Sequence, residues 1–135
     1  METSEVRVVL AEDDRFMRRA AEAALRKSGY TVLSATDGEE ALSLVRSETP
    51  DVVVLDMILP KLQGFEVLQS LKQDRITADI PVIVLSSLAQ EEDQHEAMSR
   101  GAAAYLVKSS LSLRELSTRV TEAVQVRRNR LRETL

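Results

Sequence analysis

Residues 51–64 read DVVVLDMILPKLQG. Four apolar residues, Val52 to Leu55, run without a break into one acid, Asp56. A short apolar run of this kind reads as a strand buried on both faces. An unpaired charge is costly to bury, so the acid at the end of the run needs a partner or a task. Four further runs have the same character: VRVVLA (6–11), TVLSA (31–35), PVIVLS (81–86) and AYLVK (104–108). Helical patterns separate them. Met17, Ala20, Ala21, Ala24 and Leu25 share one face of a first helix that stops at Gly29. Asp37 and Glu40 have capping-box spacing ahead of a second helix, as do Ser112 and Glu115 ahead of a fifth. Phe65, Leu68 and Leu71 mark a third helix, and QEEDQHEAMSRG a weakly amphipathic fourth that contains the lone histidine, His95, as a solvated residue. Strands alternating with helices predict an α/β protein, an open doubly wound parallel sheet with helices on both faces.

In such sheets chemistry collects beyond the carboxyl ends of the strands. Strand one delivers Glu12, Asp13 and Asp14 there, strand three Asp56, strand four Ser86 and Ser87, and strand five Lys108. Asp14 reads as a helix cap. Two like charges about 4 Å apart repel by roughly 4 kcal/mol at an effective dielectric near 20. A hard divalent cation relieves that repulsion, and magnesium prefers oxygen ligands. Asp13 and Asp56 are then direct ligands, Glu12 acts through water, and the Ile58 backbone carbonyl adds an oxygen. With a metal beside it, Asp56 becomes a nucleophile toward phosphorus. Lys108 and the Ser86 hydroxyl would hold the other phosphoryl oxygens.

Composition narrows the alternatives. A chain of 135 residues suits one domain, and 44% hydrophobic with 30% charged residues indicates a folded one. The formal charge of −4 gives no reason to expect direct nucleic acid binding. The absence of cysteine excludes thiol chemistry and disulfides. Neither a membrane-length apolar run nor a signal-peptide pattern is visible, so a cytoplasmic location is expected. A small aspartate-nucleophile phosphatase would need an acid two residues after Asp56, where Ile58 stands. A flavin or nucleotide module of similar fold would need a phosphate cradle, but AEDDRF is acidic and lacks glycine.

The pieces VVLAEDDRFMRR, VVVLDMILPKLQGFEVL, PVIVLSS and GAAAYLVK, in this order and spacing, resemble the receiver domain of bacterial two-component response regulators. The resemblance covers about residues 6–126. It implies a flavodoxin-like (βα)5 fold with strand order 2-1-3-4-5, and a signalling switch in place of an enzyme. Asp56 would be phosphorylated from a phosphohistidine on a sensor histidine kinase or phosphotransfer protein. Magnesium, or manganese in its place, would bind at Glu12, Asp13 and Asp56. Ser86 and Lys108 would contact the phosphate, and Tyr105 would follow Ser86 on activation. The fourth helix, fifth strand and fifth helix, residues 90–124, would change to meet an output partner, a missing output domain or a second copy in a homodimer. Phe16, Met17, Arg18 and Arg19 on the first helix would dock the kinase. The family lysine is usually followed by proline; here Ser109 follows it, and Gln63 replaces a frequent aspartate. Ile58 and Leu88, two residues past Asp56 and Ser86, are expected to flank the phosphoryl group and shield it from water. The Arg-rich segment 127–135 is expected as a basic, solvated continuation of the last helix or a linker stub.

Overall fold

The computed structural model describes residues 5–133. The chain runs β1 (Arg7–Ala11), α1 (Arg15–Lys27), β2 (Thr31–Ala35), α2 (Gly38–Glu48), β3 (Val52–Leu55), α3 (Gly64–Gln73), β4 (Val82–Ser86), α4 (Glu91–Ser99), β5 (Ala104–Val107) and α5 (Leu113–Glu133). All neighbouring strands pair in parallel, in the order β2-β1-β3-β4-β5. The doubly wound sheet and its strand order are therefore as expected.

Successive strand side chains point to opposite faces, and the core divides accordingly. Val9, Ala11, Val53, Leu55, Val82 and Val84 face α2, α3 and α4, where Ala41, Val45, Val67, Leu68, Leu71 and Ala97 meet them. Val8, Leu10, Val52, Val54, Ile83 and Leu85 face Ala21 and Leu25 of α1 and Leu116, Val120 and Val124 of α5. This is why the strand sequences lack polar alternation: each face carries its own helical layer.

The expected caps are present. The Asp14 carboxylate accepts from Met17 N–H at 2.7 Å, Asp37 from Glu40 N–H at 2.7 Å, and the Ser112 hydroxyl oxygen from Glu115 N–H at 3.0 Å. The Glu40 carboxylate returns to Thr36 N–H at 2.7 Å, one residue earlier than a strict capping box requires.

α5 runs unbroken through the expected boundary at residue 126 to Glu133. The continuation is helical, but it is not simply solvated. Arg127, its side chain only 19% exposed, reaches Asp51 at 4.0 Å and Asp79 at 3.7 Å, and donates to the Pro50 carbonyl at 3.2 Å. Arg128 lies 3.8 Å from Asp51. These acids stand before β3 and β4, beneath α5, so the arginines fold back onto them. Among the described residues no peptide bond is cis, and Lys108–Ser110 form a single 3-10 turn after β5. No helix among these residues is long and apolar enough to cross a membrane.

Candidate functional site at the carboxyl edge of the sheet

Strand register assembles the site. Ala11 pairs with Leu55, so Glu12 and Asp56 leave adjacent strands side by side, and Asp56 N–H donates to the Ala11 carbonyl at 3.0 Å. Ser86 pairs with Val107, which puts Lys108 one step beyond it. Of the residues expected here, Glu12, Asp13, Asp56 and Lys108 converge. Glu12 is fully buried and Asp56 is 3% exposed, while Asp13 is exposed.

The Lys108 ammonium lies 2.8 Å from Asp56 Oδ2 and 2.8 Å from Glu12 Oε1. Burial opposes its charge, but the two carboxylates outweigh burial and hold its pKa above the usual lysine value. Glu12 shows the reverse balance. Burial raises its pKa, Lys108 pulls it down, and the Asp56 charge pushes it up again, leaving it above the ordinary carboxylate value. The second oxygens are fixed by backbone: Asp14 N–H donates to Glu12 Oε2 at 3.1 Å and Ile58 N–H to Asp56 Oδ1 at 3.0 Å.

One carboxylate oxygen from each of Glu12, Asp13 and Asp56 lies within 4.8 Å of the others. Beyond the Lys108 ammonium, the buried Glu12 Oε1 meets no further donor among the described residues. Three carboxylates against one ammonium leave two negative charges. An oxygen-only donor set with that charge fits a hard divalent cation.

Ser86 is fully buried, and its hydroxyl oxygen accepts from Leu88 N–H at 3.2 Å. The half-buried Tyr105 donates its hydroxyl to the Leu88 carbonyl at 2.8 Å. Ser86 and Tyr105 are thus linked through one backbone residue, and burial holds the Tyr105 phenol above its usual pKa. Ile58 is 47% exposed at the mouth of the site, whereas the Leu88 side chain rests against the core.

Two glycines outside the expected site residues shape the loop that follows Asp56. A methyl group on Gly64 would lie 2.3 Å from the Asp56 carbonyl oxygen and 2.5 Å from Met57 Cα. One on Gly38 would lie 1.8 Å from the Leu62 carbonyl oxygen. Gly64 N–H donates to the Met57 carbonyl and Gly38 N–H to the Pro60 carbonyl, both at 3.0 Å. The only sequence signal for these contacts was a glycine opening each helix. The α1 residues expected to dock a kinase also divide. Phe16 is 85% exposed, but the Arg18 guanidinium turns onto its own loop, donating to the Glu12 carbonyl at 3.1 Å and the Asp13 carbonyl at 3.2 Å.

A doubly wound sheet of this order is shared with solved receiver domains. The Francisella response regulator 1452 receiver domain is 31% identical, with a TM-score of 0.83 over 90% of this chain and 98% of that one. The BeF3-activated N-terminal receiver domain of Klebsiella pneumoniae RstA is 25% identical, with a TM-score of 0.81 over 87% and 97%. The family model described as the response regulator receiver domain matches residues 8–121, and the chain belongs to that family. Among curated relatives, the probable transcriptional regulator ycf27 of Guillardia theta is 40% identical over 120 residues, 89% of this chain and 45% of the relative. The gliding motility regulatory protein of Myxococcus xanthus is 46% identical over 110 residues, 81% of this chain and 14% of the relative. The chain therefore spans less than half the length of either.

Proposed function

We propose that this receiver domain is a phosphorylation-operated switch with Asp56 as the phosphoacceptor. The observation that carries this reading is the buried Asp56 carboxylate, 2.8 Å from Lys108 and grouped with Glu12 and Asp13. A phosphohistidine on a sensor kinase or phosphotransfer protein supplies the group. An Asp56 oxygen bonds to phosphorus as the P–N bond breaks, and the histidine nitrogen keeps the electron pair. Glu12, Asp13, Asp56 and the Ile58 carbonyl would hold magnesium, or manganese in its place, which would supply charge neutralisation for the phosphoryl oxygens.

Lys108 gives up its Asp56 oxygen and pairs with a phosphoryl oxygen. The Ser86 hydroxyl already accepts from Leu88 N–H, so its own proton is available to another phosphoryl oxygen. Its inward movement pulls on Leu88, and through the Leu88 carbonyl on Tyr105. α4 is held to the core by one fully buried residue, Ala97, so it shifts at low cost. The face of α4, β5 and α5 then meets an output partner or a second copy, with Glu91, Glu92 and Asp93 on α4 and Arg114 and Arg119 on α5 as complementary charges. Phe16 on α1 contributes to kinase docking. The continuation of α5 past residue 126 serves as a basic extension that Arg127 anchors to Asp51 and Asp79.

The test is mass spectrometry after incubation with acetyl phosphate and magnesium. One added phosphoryl group is expected on the native chain and none on Asp56→Asn. A modification that survives the substitution overturns the reading.

A further inference from the structure

The turn between β1 and α1 has an awkward task. It must hold the Glu12 and Asp13 carboxylates close to Asp56 although all three repel. Side-chain contacts alone do not fix it, because Asp13 is exposed. The backbone is fixed from behind by Arg18, half-buried in the first turn of α1, whose Nη1 donates to the Glu12 carbonyl at 3.1 Å and the Asp13 carbonyl at 3.2 Å. A guanidinium terminal nitrogen carries two protons, so one atom serves both carbonyls. Those peptide groups lie directly beside the two α-carbons that carry the acids.

We propose that Arg18 is a positioning residue that fixes the Glu12–Asp13 backbone and thereby sets the affinity of the acid cluster for a divalent cation. The inference rests on reading the three acids as a metal site. Two effects of Arg18 oppose each other: its charge repels a cation, and its clamp orders the ligands. The charge acts through partly solvated space and is screened by salt. The clamp acts on the ligand backbone directly, as outer hydrogen bonds do in metal sites. The clamp therefore dominates, and losing Arg18 weakens binding. A lysine has the charge, but it is a strongly hydrated point charge on a shorter, flexible stem that reaches the two carbonyls less well.

The experiment is a calorimetric titration with magnesium alone, without phosphodonor and at fixed ionic strength. The native chain, Arg18→Met, Arg18→Lys and Arg19→Met are compared. Arg19 is an exposed neighbour on the same helix, so Arg19→Met makes the same charge change without touching the turn. The dissociation constant should rise about tenfold in Arg18→Met, with a comparable rise in Arg18→Lys. Arg19→Met should stay near the native value. Equal or tighter binding by Arg18→Met overturns the inference, as does an equal weakening by Arg19→Met. If Arg18→Met fails to fold, Arg18→Lys carries the same test, and native affinity there overturns the clamp. A native chain that binds no magnesium overturns the metal reading itself, a separately recognisable failure.

Discussion

At the scale of single residues, Asp56 is already occupied. One oxygen accepts from Ile58 N–H and the other pairs with Lys108. On the proposed function, phosphorylation of such a carboxylate would be an exchange of partners, with Lys108 moving from the acid to the new phosphoryl group while Glu12 keeps its hold on the ammonium. Ile58 ties its backbone to the acid and leaves a branched apolar side chain half open at the mouth of the site. That side chain can shield phosphorus but cannot orient water. Ile58→Asn is therefore expected to hydrolyse its phosphoaspartate several-fold faster, measured as loss of label after the phosphodonor is removed. An unchanged rate would count against shielding. Leu88 does not share the effect in equal measure, because its side chain is spent on the core. The sequence placed both residues two positions past a key group, and spacing alone could not tell an exposed side chain from one turned inward.

At the scale of elements, the loop between β3 and α3 is the least forgiving part. The atoms that crowd Gly64 are backbone atoms of Asp56 and Met57, which cannot rotate away. Gly64→Ala should cost about 2–3 kcal/mol through overpacking, read as a lower urea midpoint, and should slow phosphorylation of Asp56 by displacing its carbonyl. A midpoint within error of the native chain would show that the loop yields freely. Strands and helix starts were legible in the sequence because their causes are local: apolar runs between turn residues, and Asp14, Asp37 and Ser112 at cap positions. The roles of Gly64 and Gly38 were not, because the reason for each lies across space. Arg18 shows the same limit. Its place on α1 suggested an outward-facing docking residue, while its guanidinium belongs to the turn it follows.

At the scale of the whole molecule, the parallel sheet and the site edge followed from the alternation of elements and from the rule that places ligands beyond strand carboxyl ends, while the strand order followed only from the resemblance to receiver domains. The opposite edge was less legible. Arg127 joins α5 to the segments before β3 and β4 through Asp51, Asp79 and the Pro50 carbonyl. Composition could only describe it as one arginine in a basic run. Arg127→Met is expected to lower stability by about 1 kcal/mol and to speed hydrogen exchange in the last turns of α5, with the strands unchanged. Exchange that stays slow there would mean the helix needs no anchor.

The link from Tyr105 to Leu88 has a practical consequence. The chain has two tyrosines and no tryptophan. Tyr30, just before β2, bonds to Thr121 of α5, while the hydroxyl of Tyr105 on β5 bonds to the loop that follows Ser86. Tyrosine absorbance and fluorescence therefore come from two rings, only one of them bonded to the loop after Ser86. A Tyr30→Phe variant would leave a single tyrosine, so changes around the Leu88 carbonyl could be followed optically without attaching a dye.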